Sequence, residues 1–294
     1  MNLQTSNRIV NLMFTFSILL GAISSLNGQI FTLGSGVSDI DGNTYQTIVI
    51  NGQEWMAENL KTSRYANGNT IPSDLNNFQD EYQIDSLNVG SWLNYNNDSQ
   101  LGNIYGKLYN WYAVTDSRSL CPTGWKVPNE ADWNTLIDFL DPGNNHFSEA
   151  SQSHFAGGMM KSVGTQFWLN PNEGATNESG FTGLPAGNYM FSDFNELGQN
   201  GSWWSLNQRD WFEGWMRGVA FSTDNLARYA HGKSRGLSVR CVKTNVSGID
   251  EIKLNNRTLI KITDIIGRET IIKSNEVLMF YYSDGSIERR FIIQ

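Results

Sequence analysis

Few side chains in this 294-residue chain are of a type that does chemistry unaided. There are three histidines, His146, His154 and His231, and two cysteines, Cys121 and Cys241. No histidine lies in a G-x-S-x-G setting or near a recognisable nucleophile turn. His146 and His154 are not spaced as two metal ligands on one helix face, so all three read as loop-surface residues. Neither cysteine has a histidine or second cysteine at ligand spacing. In an oxidising compartment a disulfide is the default for such a pair; a reactive thiol or a metal pair is the alternative. Carboxylate pairs for glycoside hydrolysis meet only in space, and nothing in the sequence singles one out.

Two other stretches carry candidate binding chemistry. Asn170, Asn172, Glu173, Asn177 and Glu178 form an oxygen-rich loop of the kind calcium accepts, although Asn and Glu beside Gly are also ordinary turn residues. Asp39-Ile40-Asp41-Gly42-Asn43 begins like a calcium loop but lacks the later ligands, and reads as a turn. Calcium is thus the one cofactor to consider, and no other metal or cofactor set is expected. Between Asn207 and Tyr229, the expected binding residues are Arg209, Trp211, Phe212, Arg217, Asp224, Asn225, Arg228 and Tyr229. Exposed aromatics beside Arg and Asn suit contact with a sugar or a protein. Trp203, Trp204 and Trp215 read as core, which leaves Trp211 as the exposed ring.

These side chains need elements to hold them. Tyr45–Ile50 and Gln53–Met56 are β-rich runs joined by Asn51-Gly52, the favoured two-residue hairpin turn. In Lys107–Thr115, Leu108, Trp111 and Tyr112 share one helical face. A second helix follows Pro128-Asn129, with Asn129 as cap and Glu130 and Asp132 in the first turn. Its apolar face is Trp133, Leu136, Ile137 and Leu140, and Asp141-Pro142-Gly143 stops it. From Phe147 to Asn200 the chain reads as mostly loop, and strands return at Ser202–Ser205, Trp215–Ser222 and Gly236–Val242. A hairpin, two helices, long loops and closing strands make an α+β order.

Composition bounds the setting. Charged residues make up 17%, against roughly 25% in ordinary soluble proteins, and ten tryptophans are present. That is the balance of a loop-rich, aromatic-cored extracellular protein. A net charge of −8 with no basic run excludes a nucleic-acid partner. Residues 1–28 have the make-up of a secretory signal: Arg8, the apolar Leu12–Ile23, then small or polar residues before Gln29. An uncleaved membrane anchor is the alternative, but Ile9–Leu26 is at the short limit for a span and is interrupted by polar residues. No stable membrane span is expected after cleavage. The remainder divides into an aromatic-rich block at 39–243, a polar connector at 244–250, and a tryptophan-free block of alternating runs at 251–294.

The stretches DIDGNTYQTIVINGQEWMAENLKTSRYANG, YGKLYNWYAV, CPTGWKVPNEADWNTL, GATNESGFTGLPAG, WWS and GLSVRCVK resemble, in that order, the Fibrobacter succinogenes major paralogous domain. The resemblance implies a relation to the C-type-lectin-like fold: a small twisted antiparallel sheet, two helices, long loops, and a disulfide tying the helical side to the last strand. Cys121 and Cys241 fit that tie. VPNEADW is also similar to a segment of formylglycine-generating enzymes, but their pair of neighbouring cysteines is missing here, which argues against that enzyme activity. Leu259–Gln294 resembles a type IX secretion C-terminal sorting domain, and its alternating runs predict a small all-β sandwich. The implied partner is the type IX machinery and the implied location is the outer cell surface or the medium. The expected function is non-catalytic recognition of carbohydrate or another surface component. A structural surface-layer component and an extracellular enzyme are the other readings.

Overall fold

The computed structural model describes residues 29–73, 88–244, 259–271, 276–283, 285 and 287–292. The signal segment at 1–28 and nearly all of the 244–250 connector lie outside them.

The local signals that were strongest in the sequence do form. Asn51 and Gly52 adopt φ of 46° and 75°, the left-handed region a two-residue hairpin turn requires. They join Thr47–Ile50 to Gln53–Met56 in register from Thr47↔Met56 to Ile50↔Gln53. Around this hairpin a five-stranded sheet assembles in the order Thr32–Leu33, Thr47–Ile50, Gln53–Met56, Val242–Lys243, Trp125–Lys126. Glu130–Leu140 is helical. Asn129 Oδ1 accepts from the Asp132 N–H at 2.9 Å while Asp132 accepts from the Asn129 N–H at 2.8 Å, a reciprocal cap. The helix buries Trp133, Leu136, Ile137 and Leu140.

The overall class differs from the α+β, C-type-lectin-like expectation. Among the described residues most regular structure is β, divided among several small sheets, and only Glu130–Leu140 exceeds two helical turns. The expected helix at Lys107–Thr115 shows why. Leu108–Tyr109 is a strand paired with Trp92–Leu93, and Tyr109 exchanges both backbone hydrogen bonds with Leu237. Those groups are then unavailable to a helical ladder, so helix begins only at Trp111, capped by Asn110, and ends at Val114. The expected loop at 147–200 in turn contains a short helix, Ala156–Met160, and a hairpin, Asn188–Met190 with Asp193–Asn195. The C-terminal sandwich is also not formed as such. Its described residues make one antiparallel sheet of Leu259–Asp264, Glu276–Tyr282 and Ile287–Ile292, with no second layer among them.

Small sheets joined by long loops need something else to hold them, and the tryptophans supply it. One core surrounds Tyr109, Trp111, Trp125 and Trp204, a second surrounds Trp55, Trp133, Trp168, Phe181 and Trp203. Trp55 and Trp133 lie 4.9 Å apart between ring centroids. Each large ring taken out of water stabilises by roughly 1.5–3 kcal/mol, and its indole N–H can also satisfy an irregular segment. Trp204 donates to the Tyr109 carbonyl at 2.7 Å, Trp111 to Ser205 at 3.2 Å, and Trp203 to Asn59 Oδ1 at 2.8 Å. Trp133 is an exception, with no partner for its indole nitrogen.

Cys121 and Cys241 are joined in a disulfide, Cα to Cα 6.0 Å. Each cysteine immediately precedes or closely leads one of two neighbouring strands, Trp125–Lys126 and Val242–Lys243. The bond therefore closes a stretch separated by 120 positions at the edge of the first core.

Candidate functional site

The site-bearing element is a three-stranded antiparallel sheet of Asn200–Gln208, Glu213–Ala220 and Ala227–Gly232. Its register aligns Trp203, Arg217 and Arg228, then Trp204, Met216 and Tyr229, then Ser202, Gly218 and Ala227. Side chains on a strand alternate between faces. Arg217 and Arg228 therefore point one way, Met216 and Tyr229 the other.

On the first face the arginines meet the capped helix. Arg217, fully buried, donates from both terminal nitrogens to Glu130 at 3.0 and 3.2 Å, and Arg228 Nε donates to the same carboxylate at 2.7 Å. Burial by itself pushes Glu130 up, but Arg217 and then Arg228 overcome it and hold the carboxyl below its usual range. The Arg228 guanidinium stands 3.3 Å from the Trp215 ring centroid, and Arg209 stands 5.6 Å from the same ring. Trp203 and Trp204 are core, as expected, whereas Trp215 is half-buried in this arginine stack.

The opposite face opens into a cleft of about 420 Å³. The sheet contributes Ser202, Met216, Gly218, Tyr229 and His231; Asn188 and Glu196 approach from the hairpin, and Asn225 from the other side. The small Gly218 and Ala227 keep its floor low. Asn188 is 7% exposed, and its Nδ2 donates to Glu196 Oε2 at 2.6 Å while its Oδ1 has no partner. That oxygen is one of several such atoms among the described residues, Asn172 Oδ1 and Gln152 Oε1 included. Across the cleft, His231 Nδ1 lies 2.7 Å from an Arg235 terminal nitrogen. Burial, then the Arg235 charge, push its pKa down to about 4, so the ring is neutral at ordinary pH. Arginine can only donate, so Nδ1 accepts and Nε2 carries the proton. The lining thus offers acceptors on Asn188 and Glu196 and donors on His231 and Tyr229. Glu196 is the sole carboxylate among the lining residues.

The expected binding residues are therefore dispersed. Tyr229 and Asn225 line the cleft, and Arg217 and Arg228 bind Glu130 behind it. Asp224 packs against Gly158 and Gly174, and its carbonyl accepts from the Gly158 N–H at 2.9 Å. Trp211, 85% exposed, and Phe212 form the tip between two strands, with ring centroids 5.5 Å apart. Arg209 pairs with Glu213 at 3.3 Å beside them. Of the histidines, His231 stands on a strand rather than a loop, while His146 bonds Asp138 and His154 bonds Ser151. Asn188 and Glu196 went unnoticed in sequence because their hairpin turns through Phe191-Ser192, without the usual Asn-Gly signal.

The oxygen-rich loop is tied down by internal hydrogen bonds, although Asn172 Oδ1 has no partner. The buried Lys161 ammonium donates to the carbonyls of Glu173, Ala220 and Thr223 at 2.6, 2.9 and 2.8 Å. Asn172 donates to Ser162 and Gly164, Asn177 is bonded to Thr182 through both side-chain atoms, and the Glu178 carbonyl accepts from Ile30. Asn170 precedes Pro171 through a cis peptide bond. Of the three carbonyls that the Lys161 ammonium meets, only that of Glu173 belongs to this loop. Among the described residues no three His, Cys, Asp or Glu gather as metal ligands, and no helix is long and apolar enough to cross a membrane.

A disulfide-tied, tryptophan-filled β-rich domain with a polar cleft on one sheet face is the class that fold and site define. Residues 48–243 match the Fibrobacter succinogenes major domain, and the chain belongs to that family. Among curated proteins and among solved structures nothing matches it.

Proposed function

We propose that this is an exported recognition protein, displayed at or released from the outer cell surface, which binds a surface component through the cleft without transforming it. The observation that carries the reading is the cleft itself, which gathers Glu196, Tyr229, His231 and Asn225 around one concavity on the sheet. The apolar N-terminal run, the disulfide and the likeness of residues 259–294 to a type IX sorting domain support export, with that machinery as the partner of the C-terminal segment.

Binding of the purified protein to a broad glycan array, with calcium and with chelator, tests the recognition reading. Saturable binding that is indifferent to calcium and lost in Tyr229→Ala is expected. Binding that survives Tyr229→Ala would move the site elsewhere, and none at all would favour a structural surface-layer role. Truncation after Lys243 is expected to hold the protein behind the outer membrane; surface display of the truncated chain would remove the sorting role.

A further inference from the structure

The cleft carries a charge that its own lining does not balance. Glu196 is the only carboxylate there, and no lysine or arginine stands among the lining residues. Glu196 Oε2 accepts from Asn188 Nδ2 at 2.6 Å, and among the described residues this carboxylate forms no ion pair. By contrast, Glu130 behind the same sheet is held by Arg217 and Arg228, and Glu213 at the strand tip by Arg209. Arg235 meets His231 Nδ1 and the Phe191 ring, and is not part of the lining. His231 itself is neutral at ordinary pH, since burial and then Arg235 push its pKa down to about 4.

That imbalance bears on what the cleft can hold. A ligand filling about 420 Å³ displaces water from the lining. An uncharged ligand leaves the carboxylate facing only neutral groups, at a cost that grows as the local dielectric falls. An acidic ligand adds repulsion, reinforced by the chain's net charge of −8. A protonated amine supplies the missing counter-charge through a charge-assisted hydrogen bond, roughly twice as strong as a neutral one.

The rest of the lining suits the sugar that would carry such an amine. Tyr229 is 40% exposed, and its ring lies within 26° of parallel to that of His231, 6.5 Å away. An aromatic face of this kind accepts a cation or the apolar face of a pyranose. The His231 Nε2–H and the Asn225 amide can bond the hydroxyls at the edge of the same ring. We propose that the cleft binds an amino sugar with a free, protonated amine, and that Glu196 is the counter-ion of that amine. This assignment rests on the cleft being the recognition site.

Three β-1,4-linked hexamers that differ at one ring position provide the test. The glucosamine hexamer has an ammonium there, chitohexaose an acetamide and cellohexaose a hydroxyl. Each is titrated calorimetrically, in mildly acidic buffer, into the full parent protein and into Glu196→Gln, Tyr229→Ala and Glu58→Gln. Glu58 lies outside the cleft lining and pairs with Lys61, so its substitution controls for net charge. Glutamine keeps an oxygen for the Asn188 amide, so Glu196→Gln is expected to melt close to the parent. The glucosamine hexamer is expected to bind roughly tenfold or more tighter than the other two. That affinity should fall by a similar factor in Glu196→Gln and in Tyr229→Ala, and persist in Glu58→Gln. Equal affinity for all three hexamers, with loss in Tyr229→Ala, would overturn the amine assignment and leave the cleft as the recognition site. Equal weakening in Glu58→Gln and Glu196→Gln would reduce the binding to attraction by an acidic surface, and would overturn the role of Glu196. Hexalysine binding as tight as that of the glucosamine hexamer, with the same loss in Glu196→Gln, would assign the amine to a peptide and overturn the sugar. Binding untouched by Glu196→Gln and Tyr229→Ala would overturn the cleft itself. No binding of the glucosamine hexamer would overturn the amino-sugar class, and the glycan array would then decide whether the cleft recognises anything else.

Discussion

The two faces of the Asn200–Gly232 sheet use similar side chains to different ends. Behind the sheet, Arg217 and Arg228 converge on one carboxylate, and Trp215 lies under a guanidinium. In front, Asn188 and Glu196 are also hydrogen-bonded to each other, but Asn188 Oδ1 is left over and the Tyr229 ring stands partly in solvent. The back face closes most of its polar valences within the chain, though Arg217 Nε stays unmatched. The front face lines a cavity with Glu196, Tyr229 and His231. The contrast separates a group that stabilises from one that is available to a ligand: residue type alone does not distinguish them, but the identity of the partner does.

The comparison can be broken hardest at what both faces share. Reducing the disulfide, or replacing both cysteines by alanine, frees a segment spanning 120 positions. On the chain-entropy account that costs about 4–5 kcal/mol. Urea unfolding with and without reductant is expected to show this loss, with cleft and back face lost in one transition. A change below about 1 kcal/mol would mean that tryptophan packing alone sets the frame.

Glu130→Gln strikes the back face only. It leaves the buried Arg217 without a counter-charge, and removal of one partner of such a pair costs about 3 kcal/mol or more. Because Glu130 titrates below its usual range in the folded state, its contribution is present above the unfolded carboxylate pKa and disappears as pH falls through the folded value. The parent should lose stability on acidification through that window, and Glu130→Gln should lose less. Parallel pH profiles for the two proteins would show that the pair is not the source. A smaller effect is expected for Lys161→Met, which strips three partly buried carbonyls of their donor, at about 1–3 kcal/mol. Added calcium should not restore it. Restoration would show that the loop can exchange its ammonium for a metal.

How much of this was readable in advance follows from the range of each signal. The Asn51-Gly52 hairpin and the Asn129 cap are decided within four residues, and both form as read. The cysteine pair was readable because no competing partner exists in the chain. The fold class was misread because Leu108, Trp111 and Tyr112 have helical spacing, while Tyr109 is claimed by Leu237 from far along the chain. The binding residues were grouped by proximity in sequence, yet Arg228 and Tyr229 are adjacent on one strand and must face opposite ways. That parity was available from the sequence. The partnership of Asn188 with Glu196 was not, since it depends on a hairpin whose turn residues give no turn signal.

The smallest effects on stability are expected at the two exposed rings, and there the comparison becomes sharpest. Tyr229 and Trp211 both stand in solvent, so truncating either should shift unfolding free energy by no more than about 0.5–1 kcal/mol. Tyr229 lines the cleft together with Glu196 and His231, whereas Trp211 is outside the lining and touches Phe212. Glycan-array binding should therefore vanish in Tyr229→Ala and persist in Trp211→Ala. The reverse pattern would relocate recognition to the strand tip, where Arg209 and Phe212 flank Trp211. Exposure makes a ring available to a ligand, but a polar cleft around it is the reason to look for the ligand at Tyr229 first.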